Sequence, residues 1–454
     1  MKRFYALLLC VAVIFAAFAA CNETDKPADP PGQGQAQSEN PDQEPLRLCA
    51  DFGVGALMSP AGGDKYALEG FLRSVADHGG PKDVEIELLP SDGSERQTAL
   101  NRIRVELMSG AGPDIFITNC PNPGDRTTQQ ALFPFPEQAV RRGLFLQLDE
   151  FIENARFMEW DKLTPAVMSA GKTEDGQFLL PLAYSFPLTF FLSSDVLSYP
   201  ADTAWAQAAE GTDPVLGLSM DRILDSAFPL QFDGFDYFSY TWKELADYDS
   251  ETLLISEEEL LERAKEALSL EENGTEIPFP HYRGILDKYM FRLGVDGTDS
   301  VHQEILELRQ NISPEDPLTL IPLYCDQGGA CAAVQAFACV NAGTKRPEDA
   351  FFVLDVLLSR TVQEKSALSD MWCYMAMPVH EEIAFDQPET VFTAYGEARS
   401  QITSARIPTP LDALLNDAVS QYRMLQFDGE ATEEALSELL SKAYGEMKKV
   451  LDES

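Results

Sequence analysis

The side chains of this sequence that could do chemistry are better suited to holding a molecule than to reacting with it. There are only four histidines, His78, His281, His302 and His380, and none belongs to a His-Glu-x-x-His pair. His380-Glu381-Glu382 has the wrong spacing for a helical zinc site. No Gly-x-Ser-x-Gly elbow and no phosphate-cradling glycine loop occurs. Asp296-Gly297-Thr298-Asp299 is too short a fragment of a calcium loop. The eight cysteines contain no Cys-x-x-Cys pair, which sets aside zinc ribbons and thioredoxin chemistry. No catalysis, metal or cofactor is therefore expected. What the chain does supply is amides and rings near turn signals, such as Asn119 after a short apolar run and Tyr240 with Trp242 in Phe238-Ser239-Tyr240-Thr241-Trp242.

One cysteine has a chemistry of its own. Lys2 and Arg3 precede an uncharged apolar run from Ala6 to Ala17, and Ala19 and Ala20 are small enough for a signal peptidase. Phe18-Ala19-Ala20-Cys21 resembles the bacterial lipobox, with Phe18 where Leu is usual. Residues 1–20 are expected to be a signal peptide, and Cys21 to carry the lipid. Residues 21–45 then form a tether, because Asn22 to Pro45 has no large apolar side chain and cannot build a core. The expected location is the extracytoplasmic face of the cell membrane. Cys10 leaves with the signal, and the other six cysteines are Cys49, Cys120, Cys325, Cys331, Cys339 and Cys373. Cys325 and Cys331 flank Gly328-Gly329 and could close a small disulfide loop. Cys49, Cys120 and Cys339 read as small apolar strand residues.

The roughly 400 residues from Leu46 onward exceed one typical core and predict two lobes. The net charge of −40, from 74 acidic against 34 basic residues, excludes a nucleic-acid surface. It also excludes charge-driven adhesion to an anionic membrane. Leu46–Phe52, Val84–Leu89 and Asp114–Thr118 read as strands. Between them, helices carry Leu68, Phe71, Leu72 and Val75, then Leu100, Ile103 and Leu107, on single faces. Ser94 with Gln97 and Ser256 with Glu259 fit capping boxes. A helix is expected over Thr127–Arg142. The apolar run Phe178–Ser193 is broken by two prolines and predicts two strands meeting at a bend near Tyr184 to Pro187. Strands return at Leu318–Tyr324 and Ala332–Val340, and Pro347 suits a first helical position. Leu436, Leu439, Leu440, Ala443, Met447, Val450 and Leu451 give the last helix its apolar face. Such alternation implies an α/β fold, mostly parallel sheets flanked by helices.

Several segments together resemble the extracellular solute-binding proteins of carbohydrate-type ABC importers. They are Leu107-Met108-Ser109-Gly110-Ala111-Gly112-Pro113-Asp114-Ile115-Phe116, Gly143-Leu144-Phe145 with Leu148–Ile152, and Asp175-Gly176-Gln177-Phe178 with Leu180-Pro181. Ala338–Ala350 with Leu357-Leu358-Ser359 and Gln363, and Met377-Pro378-Val379, complete the series. Asp195 to about Asp316 departs from the family pattern. The resemblance implies a two-lobed, periplasmic-binding-protein-like fold with an interlobe cleft, 46–183 and 320–366 forming one lobe and 184–319 and 367–454 the other. It implies a monomeric receptor that captures a sugar or related polar solute by cleft closure and delivers it to ABC permease subunits. A lipid-anchored hydrolase of surface glycans and a sensor or interaction lipoprotein are the alternatives.

A sugar needs rings for its C–H faces and amides or backbone groups for its hydroxyls. The ligand contacts that the resemblance then implies are Asn119 at a strand's carboxyl end, Tyr184 at the first crossing, and Gln327, Gly328 and Gly329 after the second. Trp372 and Tyr374 lie near a third crossing, and Tyr240 and Trp242 come from the second lobe. Asp114 is assigned to turn structure.

Overall fold

The computed structural model describes residues 44–52, 63–90, 93–120, 131–186, 188–192, 244–248, 250–272, 318–325, 328–365, 376–383 and 396–453. The chain divides into two compact units, Met1–Glu44 and Pro45–Ser454, and every element named here lies in the second. Cys21 and its expected tether fall outside the described residues.

β1 (Leu46–Asp51), β2 (Val84–Leu88) and β3 (Ile115–Asn119) are parallel, in the order β2-β1-β3. β1 and β3 are buried along almost their whole length, as strands covered on both faces must be. The crossovers are α1 (Gly63–Asp77) and α2 (Gly93–Met108). α1 buries Leu68, Phe71 and Val75, and α2 buries Leu100, Ile103 and Leu107. Each such side chain contributes about 1.5–3 kcal/mol. Because α2 starts at Gly93, Ser94 lies inside the first turn and cannot act as its cap. The Ser94 carbonyl instead accepts from the Thr98 hydroxyl at 2.8 Å. The helix expected over Thr127–Arg142 is shorter: residues 127–130 lie outside the described residues, 131–135 are not helical, and α3 (Pro136–Arg141) is begun by Pro136.

The apolar run after Phe178 divides once, between Ser185 and Leu188, while Pro181 lies within a strand opposite Phe337 and does not break it. β4 (Leu180–Ser185) is followed by a strand at Leu188–Leu192, which pairs antiparallel with Leu318–Pro322. β5 (Ala330–Val340) then runs antiparallel to both β3 and β4, so β4 points the same way as β3. β6 (Met377–Pro378) pairs with β4, and β7 (Ile402–Arg406) lies parallel beside the first residues of β5. The seven-stranded sheet thus has the order β6-β4-β5-β3-β1-β2, with β7 off β5. Two of its short strands come from the 367–454 stretch.

A second hydrophobic core is helical. α4 (Glu257–Glu272) is capped by Ser256, whose Oγ accepts from the Glu259 N–H at 3.2 Å. Pro347 opens α5 (Pro347–Leu357), which packs on the sheet. α6 (Pro410–Asp428) and α7 (Glu433–Glu453) pack with α4 through Leu260, Leu415, Val419, Leu440 and Met447. Among the described residues no helix is long and apolar enough to cross a membrane.

Two carboxylates fasten the sheet lobe. Asp114 accepts from the Arg47 N–H at 2.8 Å and the Thr344 hydroxyl at 2.6 Å, tying β1 and β3 to the turn after β5. Asp355 is buried and accepts from the N–H groups of Arg156, Phe157 and Met158 at 2.8, 3.0 and 2.8 Å. Asp355→Ala should cost about 2–3 kcal/mol, since charged acceptors bind strongly and three donors lose their partner. A fall in the urea midpoint at constant slope would register it.

No disulfide joins Cys325 to Cys331, which corrects the expected loop. Each sulfur lies near a backbone carbonyl instead, Gly328 O at 3.7 Å for Cys325 and Ala332 O at 3.8 Å for Cys331. Cys49 and Cys339 are buried on either side of Phe116 in the sheet register, and burial pushes both thiols up, together with that of Cys120.

Candidate functional site

The connection from β1 leads to β2 on one side, and the connection from β2 returns past β1 to β3 on the other. Where two connections leave in opposite directions, the carboxyl ends of the strands part and open a crevice. Here that place is between Phe52, which follows β1, and Asn119, which ends β3. The Asn119 carboxamide spans it, its Nδ2 donating to the Phe52 carbonyl at 2.8 Å. Only the amide nitrogen can face that carbonyl, so the orientation is fixed. The other end, Oδ1, is buried and has no hydrogen-bond partner among the described residues. An unpaired buried acceptor costs about 1–3 kcal/mol, which an incoming O–H or N–H donor would relieve.

β5 brings a second amide to the same rim. Cys120 N–H donates to the Gln335 carbonyl at 2.8 Å, and the neighbouring Ala336 pairs with Asn119. Gln335 Nε2 donates to Ser185 Oγ at 2.9 Å and to the Ala333 carbonyl at 3.3 Å. Its Oε1 is left as an acceptor with no partner among the described residues. Below the rim, Arg96 holds Asp51 through two hydrogen bonds of 2.9 and 3.0 Å, both side chains being almost fully buried. The Arg96–Asp51 pair fixes the end of β1 against the start of α2.

Asn119 therefore stands where the sequence placed it. Tyr184 does not present a ring to solvent: it is fully buried, stacked on Phe186 at 6.2 Å and 22°. Tyr184 lies within β4 rather than at a bend, with β5 on one side and β6 on the other, so packing closes the ring in. Gly328 and Gly329 adopt left-handed φ of 78° and 76° in a tight turn closed by Cys325 N–H to the Gly329 carbonyl at 2.9 Å. Thr403 of β7 donates to the Gly328 carbonyl at 3.2 Å. A Cβ on Gly329 would sit 2.2 Å from Thr403 Oγ1. Gly329→Ala is expected to lose about 1–3 kcal/mol through strain and collision, measurable as a lower thermal midpoint. Gln327, Trp372, Tyr374, Tyr240 and Trp242 lie outside the described residues, as do residues 53–62 and 121–130.

Sequence reading missed Gln335, Ser185 and the Asp51–Arg96 pair. Gln335 had a signal, being the lone amide within the apolar run Ala330–Val340. Arg96 had none, because a basic residue in a helix's first turn is ordinarily solvated.

No protein-family model matches the chain, and no curated protein matches it. Solved structures do. An extracellular solute-binding protein family 1 from Alicyclobacillus acidocaldarius superposes with a TM-score of 0.53 at 12% identity, over 90% of this chain and 100% of that one. The bacterial solute receptor AcbH, described as preferring β-D-galactopyranose, superposes with a TM-score of 0.54 at 13% identity, over 90% of this chain and 98% of its own. At such identities the likeness establishes the fold: this chain has the α/β, periplasmic-binding-protein-like fold of extracellular solute receptors.

Proposed function

We propose that this chain is the substrate receptor of an ABC importer, capturing an extracellular sugar or related polar solute at the β1–β3 strand ends. The observation that supports it best is the pair of amide acceptors at one rim, the unpartnered Asn119 Oδ1 and Gln335 Oε1. Two neutral acceptors on rigid strands suit hydroxyl donors, and the sites of this kind of fold lie at such strand ends. The sheet core would form one lobe and the helical core the body of the other. Closure would bring Tyr240 and Trp242 to the solute, with Gln327, Trp372 and Tyr374 from the crossings. A permease reads the closed state because solute shifts the open–closed equilibrium toward it.

In this reading the receptor is a monomer held at the extracytoplasmic face by lipid on Cys21. Cells fed an alkynyl fatty acid should label the wild-type chain and leave Cys21→Ser unlabelled. Equal labelling of both would remove the anchor from the account. The binding role itself is tested by calorimetric titration with neutral monosaccharides and oligosaccharides. A saturable one-to-one heat with at least one of them is expected, and a panel without any heat would sink the reading.

A further inference from the structure

A cavity of about 560 Å³ lies where the two hydrophobic cores meet, and none of Asn119, Ser185 and Gln335 lines it. Its size falls within the ordinary range for small-molecule sites. Phe135 and Tyr248 of the helical core meet in its wall at 5.7 Å and 60°, and Phe178 adds a third ring. Burial pushes the Tyr248 phenol up, so its hydroxyl stays neutral. Two of the cations in the wall are paired: Arg141 with Glu137 at 2.6 Å, and Arg406 with Asp412. Glu174, Asp175 and Glu244 have no ion pair among the described residues, and the remaining cation is Lys172. The wall thus carries a surplus of negative charge beside aromatic faces. Ser404, on the same wall, is 7% exposed, and its Oγ has no hydrogen-bond partner among the described residues.

Carboxylates alone would mean little in a chain of net charge −40. Here rings that can face a cation and carboxylates that can balance it line one cavity, beside a buried hydroxyl that lacks a partner among the described residues. We propose that this cavity is a second binding site, for a small hydroxylated organic ammonium ion. The rings face the ammonium group, Glu174 and Glu244 balance its charge, and Ser404 takes the ligand's hydroxyl. The site is independent of solute capture at the strand ends, which uses neutral acceptors.

Choline and its uncharged isostere 3,3-dimethylbutan-1-ol separate the contributions. Both are titrated into the full chain at about 0.15 M salt, where loose counterion attraction to the surface is screened. Choline is expected to bind one-to-one and saturably, and the isostere at least about tenfold more weakly, as loss of a cation–π and ionic contact requires. Glu174→Gln with Glu244→Gln should weaken choline about tenfold while leaving the thermal midpoint unmoved, both side chains being surface-accessible. Asn119→Leu should leave choline affinity unchanged. No saturable binding up to about 10 mM, a far weaker limit than pockets of this size reach, would overturn the proposal. So would equal binding of the isostere, or indifference to the paired glutamate substitution. Loss of choline in Asn119→Leu alone would move the ligand to the strand ends and overturn it as well.

Discussion

Replacing Arg96 with Leu is expected to lower the unfolding free energy by about 3–5 kcal/mol. Arg96 is buried, and its guanidinium donates to both Asp51 oxygens and to the Pro90 carbonyl at 2.9 Å. Truncation strands the Asp51 carboxylate, at 3% exposure, without the guanidinium that donates to both its oxygens, and breaking a buried ion pair is among the most destabilising of single changes. A double variant, Arg96→Leu with Asp51→Asn, removes the stranded charge and should recover part of the loss. Urea unfolding of the three proteins checks it. A loss below about 1 kcal/mol in the single variant would mean that the pair behaves as a solvated surface bridge. The effect should reach the site too, because the residue after Asp51 is Phe52, whose carbonyl holds Asn119.

The second large effect concerns binding. Gln335→Met keeps the length of the side chain and removes both its donor and its acceptor. Solute affinity should fall about 10–100-fold, about 1.4–2.7 kcal/mol, because a rim acceptor that meets a solute hydroxyl is lost. Stability should change by no more than about 1–2 kcal/mol, since Gln335 is only partly buried and the main loss is its one hydrogen bond to the buried Ser185 hydroxyl. Asn119→Leu should weaken solute at least as much, and it also leaves the Phe52 carbonyl without its donor. A smaller loss in Gln335→Met than twofold would place the solute elsewhere on the crevice.

Much of the sheet lobe was legible because its signals are local. Alternating apolar strands and one-faced helices gave β1 to β3 with their crossovers, and the run after Phe178 was long enough to read as two strands, although Pro181 lies inside the first of them. The turn role of Asp114 followed from its Gly-Pro context, and the structure supplies its partners, Arg47 and Thr344. What escaped was decided by tertiary packing. β7 is five residues of unremarkable composition, Ile402–Arg406, and it is a strand because β5 extends past β3 and offers it an edge. α6 did carry a local signal. Thr409 caps it and Asp412 completes the reciprocal pair, with Pro410 at the first position and Gly429 at φ 73° closing the end. Asp in place of the usual Glu or Gln hid the box.

The candidate site was less legible than the fold, and for a physical reason. Asn119 could be placed because a strand's carboxyl end can be read along the chain. Whether a ring such as Tyr184 faces solvent depends on which strands flank it, and β5 and β6 arrive from residues 330 and 377. Gln335 enters the rim only through pairing of β5 with β3 and β4, a register no local pattern specifies.

The central claim is that solute binds at the β1–β3 strand ends through the two amides. Its most direct test is one thermal-shift series on the full chain, Asn119→Leu and Gln335→Met, with neutral monosaccharides and oligosaccharides as ligands. The account predicts a saturable rise in midpoint for the wild-type chain with at least one solute. It predicts that each variant needs at least about tenfold more of that solute for the same rise. A solute that stabilises all three proteins equally, or a panel in which none stabilises the wild type, would contradict it.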